Sequence, residues 1–308
     1  MTATNKHIIN AIKVLCFVLA VILAATVAVL VYFKWDKGEF TYIDGEKSGT
    51  VTITGYIGES NDVVIPDRLR GKKVTSISED AFMDSEITSV KFNDNITSIS
   101  DSAFNGCKNL TDVEVGDGVL AIGNYAFSNC TSLKTVTLGK SVEKWGVGIF
   151  ANDTALESVE FIENENFVID NNIIYSADMT TLYEIMPYAH LKEFEVPSTV
   201  TTLNDYAFGN QSELTSLTLS PSIKSIPTLC FLNCTSLKEV TIPEGVQKID
   251  SGILANSGIE RIVIPKSVTD INKTAFAGTE VEITIVTPEN SNAAFFAEAN
   301  DIKVEILK

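Results

Sequence analysis

The sequence predicts a mostly β solenoid with about 23 residues per rung, carrying a β-hairpin insertion and preceded by one transmembrane helix. Three features predict this architecture: a repeated apolar pattern, one interruption of that pattern, and an uncharged apolar run near the N-terminus. Consecutive repeats begin 23, 23, 23, 35, 23, 23, 22 and 22 residues apart, so the spacing of 35 marks an insertion. The repeats begin at Ile87, Leu110, Leu133, Leu156, Leu191, Leu214, Leu237, Ile259 and Val281.

The first element along the chain is the apolar run Val14 to Phe33, which contains no charged residue. Its length is close to the roughly 20 residues that cross a bilayer. Lys6 and Lys13 precede it and favour a cytoplasmic N-terminal tail. We therefore expect a tail at 1–13, a signal anchor at 14–33 and an extracellular repeat domain. A cleaved signal peptide is the alternative, because Thr26-Val27-Ala28 suits a cleavage site, although such peptides usually have apolar cores of about 7 to 15 residues.

A linker and an N-terminal β cap are expected at 34–62. The β-prone run Thr50 to Tyr56 is followed by the turn-forming residues Gly58 to Asn61. This segment is expected to close the first rung of the solenoid.

The repeats themselves are expected at 63–280, and the unit Leu110 to Ser132 defines their 23 slots. Slots 1, 4 and 6 are apolar, an alternation that predicts a short strand with one buried face. Slot 7 or its neighbour is glycine or proline and ends the strand. Slots 10 and 13 are apolar again, and slots 17 and 18 are mostly Ala-Phe, as in Ala126-Phe127. Stacked rungs would place these phenylalanines in an internal spine.

The recurring pattern Ile-Pro-x-x-Val-x-x-Ile-x-x-x-Ala-Phe-x-x-Cys-x-x-Leu resembles the BspA-type leucine-rich repeats of bacterial surface proteins. The resemblance covers about residues 40 to 308, with the best matches at Val200 to Leu214, Ile242 to Leu254 and Ile264 to Phe276. Departures at Trp145, Ile149-Phe150 and Ile253-Leu254 remain apolar. The resemblance implies extracellular binding or adhesion, and it supplies no catalytic residues.

The insertion, at about 162–190, contains three short β-prone runs and predicts a hairpin or three-stranded meander. Insertions in solenoids often lie on the binding face. Its tyrosines Tyr175, Tyr183 and Tyr188 are therefore candidate ligand contacts, although a structural spacer is the favoured interpretation of the insertion. A C-terminal cap is expected at 281–308, with helical composition from Asn292 to Ala299 and a last strand in Ile302 to Leu307.

Neither catalysis nor a cofactor or metal is expected. A serine or cysteine nucleophile needs a base within hydrogen-bond reach, and His190 is the single histidine beyond the apolar run. Its position where the insertion rejoins the repeat favours a structural role, and a cysteine metal site would have only this one histidine. Cys107, Cys130 and Cys234 share slot 21 and are interpreted as buried thiols. A disulfide between Cys107 and Cys130, on consecutive rungs, is the alternative.

The solvent-facing strand slots 2, 3 and 5 form the candidate binding face. The slot-5 candidates are Glu114, Glu160, Glu195, Thr218 and Thr241. Beyond Phe33 lie 21 basic and 40 acidic residues, a net charge of −19, which disfavours nucleic acid as a partner. The sequence therefore predicts a membrane-anchored extracellular protein that binds a protein or a glycan. The alternative is an envelope scaffold that binds proteins of the same cell.

Overall fold

The computed structural model describes residues 38–307, which wind into a β solenoid closed at both ends. The predicted tail at 1–13 and the predicted anchor at 14–33 lie outside these residues. Within 38–307, no helix has the length and apolar character needed to cross a membrane.

The rungs are built from short strands joined by tight turns. Before the insertion, the strands are β1 (Phe40–Asp44), β2 (Thr50–Tyr56), β3 (Asp62–Val64), β4 (Arg68–Leu69), β5 (Lys72–Ile77), β6 (Ser89–Lys91), β7 (Ser98–Ile99), β8 (Asp112–Val115), β9 (Ala121–Ile122), β10 (Thr135–Leu138), β11 (Lys144–Trp145) and β12 (Ser158–Phe161). The insertion contains β13 (Phe167–Asp170), β14 (Ile173–Ser176), β15 (Thr181–Ile185) and a 3-10 helix (Pro187–Ala189). After it come β16 (Glu193–Glu195), β17 (Thr202–Leu203), β18 (Ser216–Thr218), β19 (Ser225–Ile226), β20 (Glu239–Thr241), β21 (Lys248–Ile249), β22 (Arg261–Val263), β23 (Asp270–Ile271), β24 (Thr284–Pro288), helix α1 (Asn292–Ala299) and β25 (Lys303–Leu307).

The strands of successive rungs stack in parallel into two ladders. The first ladder comes from slots 3 to 6 and contains the five-stranded sheet β12-β10-β8-β6-β3. Val113 pairs with Val136 and Val136 with Val159, so the 23-residue period is also the pairing register. The second ladder comes from slots 12 and 13 and includes β5-β7-β9-β11 and, after the insertion, β19-β21-β23. Both ladders turn their apolar slots inward, which confirms the predicted solenoid.

The Ala-Phe turns form the third side of the solenoid. Backbone hydrogen bonds join successive turns, as where the Phe104 amide donates to the Ala126 carbonyl at 2.8 Å. The rings of Phe82, Phe104, Phe127 and Phe150 stack with centroids 4.7, 5.2 and 6.2 Å apart. The predicted phenylalanine spine is therefore confirmed, with its four-ring run ending at the insertion.

Slot 20 requires a left-handed backbone, and this explains its composition. Asn129, Asn152, Asn210 and Asn233 have φ between 59° and 66° there. Asparagine and glycine tolerate this conformation better than other residues do. Their side chains also form a ladder, in which Asn152 Nδ2 donates to Asn129 Oδ1 at 2.9 Å and Asn233 Nδ2 donates to Asn210 Oδ1 at 2.6 Å.

The last repeat corrects one predicted boundary. Ile285 on β24 pairs with Ile262, so this rung begins at Glu282, one residue after the expected Val281. The shift places Thr287 in the apolar slot 6, where it is fully buried. The polar group is tolerated because Thr287 Oγ1 donates to the Ile264 carbonyl at 2.8 Å.

Both ends of the solenoid are covered. At the N-terminal end, β1 pairs with β2 in an antiparallel hairpin. At the other end, α1 spans the range indicated by its composition, and Ser291 Oγ caps it by accepting the Ala294 amide at 3.1 Å. Arg261 holds the final strand through two hydrogen bonds to the Glu305 carboxylate, at 2.6 and 3.0 Å.

Candidate binding face and its interruption

The predicted slot-5 residues Glu114, Glu160, Glu195, Thr218 and Thr241 are all exposed on the outer face of the first ladder. The structure distributes them over three sheets. Glu114 and Glu160 flank Thr137 in one sheet, Glu195 pairs with Thr218 in the next, and Thr241 lies in the third. The face is therefore a polar strip with an interruption between β12 and β16.

Neighbouring rungs share hydrogen bonds along this strip. Thr135 Oγ1 donates to Asp112 Oδ1 at 2.5 Å, and Ser89 Oγ donates to Asp62 Oδ1 at 2.8 Å. These bonds lower the pKa of both carboxyls. Part of the strip is thus engaged in holding the rungs together.

The insertion is a three-stranded antiparallel meander, as predicted, and it fills the core between the two parts of the solenoid. Strand β14 pairs with both β13 and β15, and its adjacent residues face two different hydrophobic cores. Ile174 packs with the N-terminal core, whereas Ile173 and Tyr175 pack with the C-terminal core. Strand β15 then pairs in parallel with β17 and restarts the second ladder.

The flanking rungs nevertheless meet at one corner. Asn210 Nδ2 donates to Asn152 Oδ1 at 2.8 Å, although 58 residues separate them in sequence. Beside this contact, the rings of Tyr125 and Tyr206 meet edge to face at 6.2 Å over Gly148. The asparagine ladder is thus continuous where both strand ladders are interrupted. The insertion is a wedge with its thin edge at this corner.

A buried glutamate completes the junction, and no sequence pattern indicated its role. Glu184 accepts the indole N–H of Trp145 at 3.2 Å and the Phe150 amide at 3.3 Å. In a regular rung that amide bonds to the next turn, as Phe127 does with the Ile149 carbonyl. The carboxylate replaces the carbonyl that the interruption removes. Burial raises the pKa of Glu184 to about 7, against the opposing effect of hydrogen bonds from the Trp145 side chain and from the Phe150 and Ile149 backbone.

Asp153 is a second buried carboxyl at the junction. Its Oδ1 accepts the Cys130 amide at 2.8 Å, and burial, together with the nearby charge of Glu184, raises its pKa well above the usual range. Its Oδ2 has no hydrogen-bond partner among the described residues. Asp153 occupies slot 21, where thiols such as Cys130 donate to the phenylalanine carbonyl of the preceding rung.

The insertion tyrosines differ from the sequence-based expectation. Tyr175 is 2% exposed and belongs to the core, which corrects its assignment as a ligand contact. Tyr183 is half-buried with its ring edge-to-face on Phe167, 5.1 Å away. Tyr188 is also half-buried, and its Oη accepts the Val159 amide at 3.1 Å. All three tyrosines contribute to the wedge.

An open groove accompanies the wedge on the strand face. It encloses about 440 Å³ between the end of the first ladder and β13. Its lining residues are Val159, Glu160, Phe161, Glu163, Asn164, Phe167, Val168 and Ile169. The groove thus combines an aromatic floor with carboxylates.

The described cysteines and His190 occupy positions that the fold itself accounts for. The four described cysteines, Cys107, Cys130, Cys230 and Cys234, are free and buried. His190 has a left-handed backbone after the 3-10 helix, and its Nδ1 lies 2.9 Å from Glu213 Oε1. Within 38–307, no group of three or more His, Cys, Asp or Glu side chains is arranged to hold a metal ion.

Comparison with known proteins agrees with this architecture. A family model described as "BspA type Leucine rich repeat region" matches residues 75–186 and 187–282 with six copies. The pneumococcal vaccine antigen PcpA is 16% identical, covers 87% of this chain and 99% of its own, and superposes with a TM-score of 0.53, a likeness of fold alone. A leucine-rich cell surface protein from Faecalibacterium prausnitzii is 20% identical over 88% of this chain and 97% of its own, with a TM-score of 0.46. No curated protein matches.

Proposed function

Because the chain belongs to the BspA-type leucine-rich repeat family, we propose that it is a membrane-anchored surface protein that binds a protein or a glycan outside the cell. The observation that carries the proposal is the exposed polar strip of the first ladder, which spans successive rungs on both sides of the insertion. Solenoids use extended surfaces of this kind for binding.

The anchor is the run Val14 to Phe33, with the repeats outside the cell. We expect protease added to intact cells to degrade the repeats and leave cytoplasmic proteins untouched. Protection of the repeats that persists until the cells are lysed would exclude this topology.

Binding is tested with the full-length protein in detergent micelles, immobilised and offered mucin and extracellular matrix proteins. We expect capture to weaken in the triple variant Glu114→Lys, Glu160→Lys, Glu195→Lys, which reverses charge along the strip. The control Glu298→Lys changes an exposed charge on α1 and should bind normally. Equal capture by both variants, or capture of neither ligand class, would contradict the proposal.

The second candidate is an envelope scaffold for proteins of the same cell. The short span between the proposed anchor and β1 favours it, because it would hold the solenoid close to the membrane. Offering detergent-solubilised envelope proteins of the producing organism in the same assay distinguishes the two. Selective capture of envelope proteins, sensitive to the triple variant, would favour the scaffold.

A further inference from the structure

The interruption leaves an open strand edge on the outer face. In regular rungs the slot-6 amide donates to the next rung, as Val196 does to the Thr218 carbonyl and Ile242 to the Val263 carbonyl, both at 2.9 Å. Phe161 holds slot 6 of β12, but β12 pairs only with β10 and ends its sheet. Tyr188 Oη satisfies the Val159 amide. In the described part of the chain, the Phe161 amide therefore lacks a strand partner.

Exposed apolar side chains lie beside the open edge of β12. The rings of Phe161 and Phe167 stack with centroids 5.7 Å apart in the groove. Nearby, Ile162 is 50% exposed and Val168 is 36% exposed. Proteins usually protect such edges with charge, proline or a covering segment, because an open edge accepts another strand. The groove thus offers both backbone pairing and apolar contact.

The surroundings of this edge are acidic. Six exposed glutamates lie just before or on β12, on the loop that follows it, and on β16: Glu157, Glu160, Glu163, Glu165, Glu193 and Glu195. None of them takes part in the ion pairs formed among residues 38–307. Lys140 lies near the groove, because its carbonyl accepts a hydrogen bond from Asn164 Nδ2 at 3.1 Å, but its ammonium group pairs with Asp117. The net negative charge complements a cationic partner.

We propose that the open edge of β12 accepts an extended basic segment of a partner protein as an added strand. Alternate side chains of a strand point to opposite faces. The segment's apolar side chains would pack on Phe161 and Phe167, and its lysines or arginines would lie beside Glu160 and Glu163. Main-chain bonds supply affinity and the alternating side chains supply specificity. This inference rests on the proposed binding function and specifies its partner.

The test uses the full-length protein in zwitterionic detergent and three fluorescein-labelled peptides. The first is Lys-Val-Lys-Val-Lys-Val-Lys, the second replaces every lysine with glutamate, and the third carries N-methyl groups that block strand pairing. We expect fluorescence anisotropy to detect binding of the first peptide alone. The double variant Glu160→Gln, Glu163→Gln should weaken it about 2- to 25-fold, since each exposed ion pair contributes a factor of about 1.4 to 5.

The matched control is Glu289→Gln, Glu298→Gln, which removes two exposed charges near α1, away from the groove. It should bind the lysine peptide as the unmodified protein does, and circular dichroism should show that both variants are folded. Equal weakening in both variants, equal binding of the N-methylated peptide, or no binding of the lysine peptide would overturn the inference. If mucin or matrix capture persists in those cases, the proposed function survives without this partner assignment.

Discussion

Glu184 shows how one side chain reconciles an insertion with a repeat. A buried carboxylate is costly unless donors surround it. Here the donors are the Trp145 indole and the Phe150 amide. Without Glu184, the interruption of the ladder would leave the Phe150 amide without an acceptor. The carboxylate thus takes the place of the backbone carbonyl that the next rung would supply.

The raised pKa of Glu184 predicts that the protein becomes less stable as the pH rises from about 4.5 to about 7. Its pKa rises from 4.5 to about 7 on folding, so in this window the folded state holds a proton that the unfolded state has released. The loss is on the order of 3 kcal/mol. Asp153, facing the same core, acts in the same direction.

Thermal unfolding of Glu184→Gln measures this effect. The amide does not titrate, so Tm should fall less steeply from pH 5 to pH 8 than in the unmodified protein. Its single oxygen accepts from only one of the Trp145 and Phe150 donors, which lowers Tm at every pH without restoring the slope. Glu160→Gln, at an exposed site, should keep the original slope. An unchanged slope in Glu184→Gln would show that this carboxyl does not titrate on unfolding.

At the scale of elements, the wedge depends on close contact at its thin edge. Gly148 has φ of +55°, and a Cβ there would lie 2.8 Å from Cε1 of Tyr125. Because Gly148 has no side chain, the rings of Tyr125 and Tyr206 contact each other across the rung that lies between them. The two flanking rungs can therefore keep their asparagine contact while the meander separates the strand ladders.

Gly148→Ala should consequently lower the free energy of unfolding by about 2 kcal/mol or more, from the left-handed backbone and the tyrosine contact together. Urea denaturation followed by circular dichroism measures the change. Gly116→Ala is the control, because its backbone is not left-handed and its nearest neighbour lies 4.0 Å from the added carbon. Similar midpoints for the two variants would contradict the packing argument.

At the scale of the whole molecule, the solenoid contains two hydrophobic cores joined through the meander. Opposite faces of β14 contact different cores. In a solenoid, stability is a sum of rungs and the contacts between neighbours. The meander therefore determines whether the two parts unfold together.

Ile174→Ala should weaken this coupling and divide one calorimetric unfolding transition into two. Ile174 is fully buried against the N-terminal core, and truncating a buried isoleucine costs about 2 to 5 kcal/mol. Ile162→Ala makes the same change at an exposed position of the insertion and should retain one transition. A single transition in Ile174→Ala, merely moved to lower temperature, would show that other contacts couple the parts.

The sequence by itself determined the repeat architecture. Each rung needs apolar slots at fixed positions because it buries them only against its neighbours, so Val113, Val136 and Phe127 are recognisable from spacing alone. Composition also indicated α1 and the three strands of the meander. The departures at Trp145 and Ile149-Phe150 marked the rung where the junction forms, without indicating what contacts it.

Only the tertiary structure decided how the insertion is accommodated. The burial of Tyr175, the role of Glu184 and the open edge of β12 depend on contacts between distant segments. Trp145 and Glu184, for example, are 39 positions apart in the sequence. The alternation of apolar and polar residues predicts which residues share a face of a strand, but not which core each face contacts. The meander has a different core on each side, so its apolar and polar residues do not follow the one-sided pattern of the repeat.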